Sequence, residues 1–175
     1  NFRSFLFADV LKRYLRYCGY EVYHVMNLTD VDDRIVQQVG EEGVSLEEYT
    51  QRYAEAFFDD AEALNIAPAD VYPRPSAHIE EMIDLIAALI ERGVAYERDG
   101  SVYYSISGFP EYGSFARLDM AGMRDGARVD TDKYDKDDAR DFVLWKAWTE
   151  ADADVHWESP YGRGRPGWHL ECSAM

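Results

Sequence analysis

Four stretches of the chain carry apolar residues at the three-to-four-residue spacing of an amphipathic helix. Residues 2–18 form the first, with one apolar face expected to be buried and Gly19 at the C-terminal capping position. A shorter helix is predicted over 31–39 and a longer one over 46–64. The fourth ends at Gly93, is the most apolar, and is expected to lie in the core.

Short polar side chains stand where three of these helices would begin. Thr29 or Asp30 can cap the second helix, and Ser76 can cap the fourth. Ser45, followed three residues later by Glu48, forms a capping box before the third. These residues support the helix boundaries that the apolar spacing predicts.

Other stretches are rich in the aromatic and β-branched residues that favour strands. Residues 20–27 and 142–148 each predict a strand. Residues 94–106 predict a β-hairpin with its turn at 99–100, where Asp-Gly favours a tight two-residue loop. The glycine- and proline-containing segment 159–167 is predicted to be a loop that leads into a last helix.

The succession of helices and strands through short loops predicts an α/β layered fold. The predicted secondary structure changes after Gly93, from long helices to short strands and glycine-rich turns. We therefore expect residues 1–93 to form an α/β body, 94–157 a mixed excursion, and 158–175 a return to the body.

Composition narrows the class of protein. Apolar residues make up 47% and aromatic residues 14% of the chain, which excludes a disordered chain. No run of 18 apolar residues is present, so no association with a membrane is expected. Two distant cysteines, Cys18 and Cys172, favour a reduced, cytoplasmic setting. A starting Met and a signal-peptide pattern are both lacking, which suggests that the sequence begins inside a longer protein.

The chain is strongly acidic, with 34 acidic against 18 basic residues and a net charge of −16. Such a chain repels nucleic-acid phosphates and is not expected to bind RNA on its own. The acidic run at 130–141 is interpreted as a solvated face. Strong acidity with few lysines also fits a protein adapted to high salt, where screening relieves self-repulsion, and an ordinary acidic surface is the alternative.

Polar residues follow the strand predicted over 20–27, at the strand end where ligands bind in open α/β sheets. Asn27 and Thr29 could therefore contact a small polar substrate. The alternative is that Thr29 and Asp30 only cap a helix, and spacing alone favours the cap.

A second group of reactive side chains lies near the end of the chain. Cys172 and His169 stand three residues apart, so on a helix they share a face and could bind one metal ion. No second Cys stands near them, and a buried, small apolar role is the alternative for Cys172 and the expectation for Cys18. Arg163 and Arg165 could bind phosphate or lie in a solvated loop.

Together these segments resemble cysteinyl-tRNA synthetases, and the resemblance is collinear over essentially all 175 residues. Its most specific part is the segment G-R-P-G-W-H-L-E-C-S-A-M at 164–175. Asn1 would be the last residue of the family's first signature. The other matching segments are 2–22, 27–35, 73–97, 109–113 and 141–146.

The resemblance implies a class I synthetase catalytic domain, which is a Rossmann-type fold interrupted by a connective insertion, here within 94–157. It implies that Cys172 is one of four Zn2+ ligands and that the other three lie outside this chain. Thr29, Trp168 and Asn27 would line the cysteine pocket. The catalytic His and Lys of the family's signatures would also lie outside the chain.

The resemblance further implies that the full-length enzyme activates cysteine with ATP and Mg2+ and transfers it to tRNA(Cys), as a monomer in the cytoplasm. Zinc would select the cysteine thiol, and this chain by itself would be inactive. Two alternatives share the same motifs. They are the related ligase that joins cysteine to an amino sugar in mycothiol synthesis, and a non-catalytic paralogue or truncated remnant.

Adaptation to high salt predicts that the melting temperature of the chain rises with KCl, because salt screens the repulsion among 34 acidic residues. The measurement is a thermal melt, followed by circular dichroism, over increasing KCl concentration. A melting temperature that falls as KCl rises would rule this adaptation out.

Overall fold

The computed structural model of the chain describes residues 2–117 and 141–175. The chain divides into a first unit, which ends at Ala77 and also includes Met175, and a second unit, His78–Ala174. Helices combine with an antiparallel sheet, which confirms the α/β fold class. No helix in the described parts of the chain is both long and apolar enough to cross a membrane.

Three helices and one short 3-10 turn make up the regular structure of the first unit. The helices begin and end close to the predicted positions, and Ser45 caps the third by accepting a hydrogen bond from the Glu48 N–H at 3.1 Å. The elements are α1 (Arg3–Tyr17), α2 (Asp33–Glu42), α3 (Leu46–Ala63) and the 3-10 turn Pro75–Ala77.

The cap of α2 differs from the prediction. Asp32 accepts a hydrogen bond from the Ile35 N–H at 2.7 Å, so the helix begins later than expected and neither Thr29 nor Asp30 caps it. Asp30 instead accepts hydrogen bonds from the backbone N–H and the hydroxyl of Ser76. Ser76 is therefore part of the 3-10 turn and does not cap the fourth helix, as the sequence had suggested.

The buried side of α1 is charged. Asp9 and Lys12 are buried, and both bind the loop that follows α3. The Lys12 ammonium donates to the Pro68 carbonyl at 2.6 Å, and Asp9 accepts from the Ala67 N–H at 3.0 Å and from Arg13 at 2.8 Å. These paired contacts offset the cost of removing both charges from water.

The apolar face of α1 was predicted to be buried, and this prediction is wrong. Val10 and Tyr14 are 63% and 61% exposed, and Leu6 and Leu11 are also exposed. The loop after α3 packs against the charged side of the helix, which leaves these four side chains exposed. Phe5 is a partial exception, since it is half-buried and its ring lies 5.1 Å from that of Phe57 of α3.

The strand predicted over 20–27 is reduced to one parallel bridge, between Val25 and Val71. The Met26 N–H donates to the Val71 carbonyl at 3.0 Å, and Leu28 then donates to the Pro73 carbonyl at 2.9 Å. Pro73 has no N–H to return a bond, which limits the ladder on that side. The side chains nevertheless alternate between exposed and half-buried along this segment, as they do in a strand.

In its described residues, the second unit contains a four-stranded antiparallel sheet in the order β1-β2-β3-β4, with α4 packed against β1 and α5 packed against β3. The predicted hairpin is confirmed, and Asp99 and Gly100 in its turn both have positive φ, as a tight two-residue turn requires. The elements are α4 (Ile79–Glu91), β1 (Ala95–Arg98), β2 (Ser101–Tyr104), β3 (Phe142–Ala147), the 3-10 turn Glu150–Asp152, β4 (Gly164–Pro166) and α5 (Trp168–Ala174).

The core of the second unit lies between the sheet and its two helices. Trp145 of β3 is fully buried at its centre. Around it lie buried residues of every layer: Met82 and Ile86 of α4, Val102 and Tyr103 of β2, Val143 and Leu144 of β3, and Leu170 of α5.

Asp141 departs from the predicted solvated acidic run. Its side chain is 2% exposed and accepts hydrogen bonds from the Tyr96 hydroxyl and from the Ile106 N–H, both at 2.9 Å. It thereby ties the start of β3 to the hairpin. The rest of that predicted run, residues 130–140, lies outside the described residues.

The segment 159–167 was predicted to be a loop, but β4 forms within it because its backbone lies against β3. A Cβ on Gly164 would stand 2.1 Å from the Lys146 carbonyl oxygen, and one on Gly167 would stand 2.2 Å from the Val143 carbonyl oxygen. Side chains cannot occupy either place, so both glycines are required for this approach. The Gly167 N–H then donates to the Leu144 carbonyl at 2.8 Å, immediately before α5 begins.

Asp9→Asn is expected to make the free energy of unfolding depend less steeply on pH under acidic conditions. Burial alone would raise the pKa of Asp9, but hydrogen bonds from Arg13 and Ala67 and the charges of Arg13 and Lys12 lower it below the usual value. Between the unfolded pKa of about 3.9 and the lower folded value, the unfolded chain binds more protons, so stability is lost as the pH falls through this window. Urea unfolding below about pH 5 measures the slope.

The matched control is Asp99→Asn, which removes the same charge from an exposed turn where Asn tolerates a positive φ. An Asp9→Asn profile as steep as that of the unchanged chain would contradict the role given to the buried carboxylate.

Gly167→Ala is expected to lower the free energy of unfolding by about 1–3 kcal/mol or more, because the new methyl group forces the backbone of β3 and the start of α5 apart. Urea unfolding provides the measurement. Gly93→Asn is the control, since Gly93 has open space around it and a φ of +72° that Asn tolerates. Equal losses in the two variants would show that the close approach to β3 is not what the glycine provides.

Candidate functional site

Two candidate residues lie on one face of α5. Trp168 and Cys172 are four residues apart, so they stand one above the other on the helix surface. The Trp168 side chain is 68% exposed, and Cys172 is an exposed free thiol. A large apolar ring and a soft sulfur atom, the kind of donor that zinc prefers, therefore face outward together.

Three features of the fold hold this face in place. The Gly167 N–H binds the Leu144 carbonyl of β3, and the Leu170 N–H binds the Gly167 carbonyl at 3.0 Å to start the helix. Leu170 and Glu171 are buried, with exposed fractions near zero, on the opposite side of α5. The buried side thus fixes the rotation of the helix, and Trp168 and Cys172 point away from the core as a result.

The His169 ring lies against other aromatic rings. Its centroid is 4.8 Å from that of Phe142 and 5.5 Å from that of Trp168. Sequence spacing had placed His169 on the same face as Cys172 as a possible metal ligand. In the structure, the ring has these two aromatic neighbours. Phe142 therefore lies next to the candidate site, although the sequence indicated only that it belongs to a strand.

The fit of a metal ion depends on the donor atoms that are available. Within 2–117 and 141–175, no group of three or more His, Cys, Asp or Glu side chains could hold a metal ion. Cys172 is nevertheless exposed, which excludes the alternative of a buried small apolar residue, and a thiolate is a good ligand for zinc. The same exposure makes the expectation of burial wrong for Cys18.

Asn27 and Thr29 belong to the first unit, just beyond the bridge at Val25. Both are exposed, and the Asn27 amide donates to the Thr29 hydroxyl at 3.4 Å. Asp32 caps α2, so the Thr29 hydroxyl does not. The capping role that sequence spacing favoured for Thr29 is therefore excluded. The pair offers an amide and a hydroxyl to solvent at the end of an extended segment.

The two arginines before α5 do not share one environment. Arg165 is buried and forms a 2.7 Å ion pair with Asp152, which also accepts from the Thr149 N–H at 2.8 Å. Arg163 is exposed, binds Glu158 at 3.2 Å and lies over the Trp148 ring. Arg165 is thus neither a phosphate ligand nor a solvated side chain, and the sequence carried no signal for its pairing with Asp152, 13 positions away.

Electrostatics around the aromatic rings are set by burial. Burial raises the pKa of Tyr104, with a further contribution from Tyr112, so this phenol stays neutral well above physiological pH. Its ring stacks on that of Phe142 at 4.9 Å and an angle of 11°. The stacked rings of Tyr104 and Phe142 are therefore both uncharged, in a chain with a net charge of −16.

Comparison with known proteins identifies the family. The family model described as tRNA synthetases class I (C) catalytic domain matches residues 1–175. The chain is 55% identical to a cysteine–tRNA ligase of Brachyspira hyodysenteriae and 54% identical to one of Chlamydia trachomatis, over 100% of the chain and 37% of each relative. A cysteine–tRNA ligase of Methanosarcina mazei is 49% identical with the same coverage. The chain therefore spans little more than a third of these relatives, and it belongs to the family of class I (C) tRNA synthetase catalytic domains.

Proposed function

We propose that the full-length protein containing this chain is a cysteine–tRNA ligase. The observation that carries the proposal is the identity of 49–55% with relatives of that name, from bacteria and an archaeon, over the whole chain. The exposed thiol and indole on one face of α5 support it, because the thiolate could be a zinc ligand and the indole could form an apolar wall beside a small substrate.

The proposed reaction has two steps. A carboxylate oxygen of cysteine attacks the α-phosphorus of ATP, and the bond to pyrophosphate breaks with Mg2+ shielding the leaving charge. A hydroxyl at the 3′ end of tRNA(Cys) then attacks the carbonyl carbon of the adenylate and releases AMP. Both steps depend mainly on positioning and charge stabilisation. We assign no catalytic residue to this chain, and its part is to bind the amino acid.

Selection of cysteine is the task that we assign to Cys172. An apolar pocket separates small analogues by only about 1–3 kcal/mol, which is too little to reject serine or alanine. When bound, Zn2+ would supply a soft centre that prefers a thiolate to a hydroxyl. Cys172 would be one of its ligands, and further ligands would come from other parts of the full-length enzyme.

Three other side chains would line the cysteine pocket. The exposed Trp168 indole provides an apolar wall for the substrate methylene. The Thr29 hydroxyl and the Asn27 amide offer polar atoms for the amino and carboxylate groups. We further propose that residues 94–157 form the connective insertion and that the enzyme acts as a monomer in the cytoplasm.

Binding of tRNA is proposed to depend on other parts of the enzyme. With a net charge of −16, this chain repels phosphate groups. Arg165, one of two arginines that could contact phosphate near the site, is already paired with Asp152.

Cys172→Ser is expected to abolish zinc binding and cysteine selection in the full-length enzyme. ATP–pyrophosphate exchange with cysteine and with serine measures selection, and zinc per protein is measured by elemental analysis. The loss of zinc affinity should exceed the roughly 10–100-fold cost of losing an outer-shell partner. Cys18→Ser is the matched control, since Cys18 is also an exposed free thiol but lies beyond the end of α1.

The outcomes separate the alternatives. Cysteine-specific exchange that Cys172→Ser loses together with zinc, followed by charging of tRNA(Cys), supports the proposal. Exchange without charging of tRNA would point to the cysteine ligase of mycothiol synthesis. No exchange from the folded, zinc-loaded full-length protein would point to a non-catalytic paralogue.

A further inference from the structure

Four aromatic side chains of the second unit form a continuous row, here called the aromatic row: Tyr104, Phe142, His169 and Trp168. Tyr104 of β2 and Phe142 of β3 are register partners across the sheet, and their rings stack at 4.9 Å with an angle of 11°. The row therefore starts on two hydrogen-bonded strands of the sheet.

The row continues from the sheet to α5. The Phe142 ring is 4.8 Å from the His169 ring at an angle of 56°, and the His169 ring is 5.5 Å from that of Trp168 at 51°. These are tilted contacts within the 4.5–7 Å range that aromatic pairs favour. The Trp168 side chain is largely exposed, and the His169 ring is a neighbour that can restrain the indole.

We propose that Phe142 is a positioning residue, which sets the orientation of the Trp168 indole through the His169 ring and so tunes the affinity of the site for cysteine. The identity of the ligand rests on the function proposed above, but the positioning itself does not. Strand β3 contacts the start of α5 at two places. The Leu144 carbonyl accepts the hydrogen bond that precedes the helix, and the Phe142 ring packs against the His169 ring on the helix surface.

Removal of the Phe142 ring leaves the backbone contact in place but lets His169 and then Trp168 turn. An aromatic pair contributes enough to change an equilibrium constant by about 3- to 10-fold. Because Trp168 would contact bound cysteine before and during the reaction alike, the change should appear in KM for cysteine, with kcat and KM for ATP nearly unchanged.

The test uses the full-length enzyme with Phe142→Leu and with Phe142→Tyr, which keeps the ring. ATP–pyrophosphate exchange gives KM and kcat for cysteine and for ATP. A second readout is the 19F NMR signal of 5-fluorotryptophan at Trp168, assigned by its absence in Trp168→Phe. The control is Tyr53→Leu, which removes a ring that lies 4.9 Å from that of Tyr49 on α3 in the first unit.

The expected result is that Phe142→Leu raises KM for cysteine about 3- to 10-fold and shifts the Trp168 signal. Phe142→Tyr should restore both, and Tyr53→Leu should change neither. An unmoved Trp168 signal in Phe142→Leu, or an equal shift in Tyr53→Leu, would overturn the proposal. Wild-type enzyme without cysteine-dependent exchange would refute the proposed function, while the NMR signal would still decide the positioning.

A second pair of variants keeps the test decisive if Phe142→Leu does not fold. His169 lies on the exposed side of α5, so its replacement should leave folding intact. His169→Ala interrupts the aromatic row and should raise KM for cysteine, whereas His169→Phe keeps a ring and should not. Equal KM values for cysteine in both variants would contradict transmission through this ring.

Discussion

The backbone contact between Gly164–Gly167 and strand β3 is the constraint on which the candidate site depends. Two carbonyl oxygens of β3 occupy the space that side chains at Gly164 and Gly167 would need. They lie 2.1 and 2.2 Å from the positions that a Cβ atom would take on these two glycines. This approach allows β4 to pair with β3 and places the first residue of α5 directly after the last hydrogen bond to the sheet. With Leu170 and Glu171 buried on one side, the exposure of Trp168 and Cys172 on the other follows from helical geometry.

Local patterns were sufficient to predict most elements and insufficient to predict how they pack. The hairpin around Asp99-Gly100 and the cap at Ser45 were predictable because their signals lie within a few residues. Strand β4 was not, because three residues containing Gly and Pro resemble a loop until β3, some twenty positions earlier, is beside them. The exposed apolar face of α1 has the same origin, since periodicity identifies a face but not the segment that packs against it.

The residues of the candidate site likewise fall into those that the sequence could predict and those that only the packing reveals. Cys172 and Trp168 stand in one short motif and could be identified from the sequence. Phe142 could not be identified in this way, because 27 positions separate it from His169. The two rings meet only because α5 packs against β3. Asp141 was misread for a related reason: a carboxylate in an acidic run looks solvated until the Tyr96 hydroxyl and the Ile106 N–H are seen to bind it.

The segment that leads into α5 is held by a pair of buried charges. Arg165 and Asp152 neutralise each other at 2.7 Å beneath the surface, and Asp152 also holds the 3-10 turn through Thr149. A buried ion pair of this kind contributes little net stability but is costly to break, so it specifies one arrangement of the segment that leads into the helix. Trp168 and Cys172 are exposed and take no part in this pairing, so their placement on the helix surface follows from the contacts of β3 and from the buried side of α5.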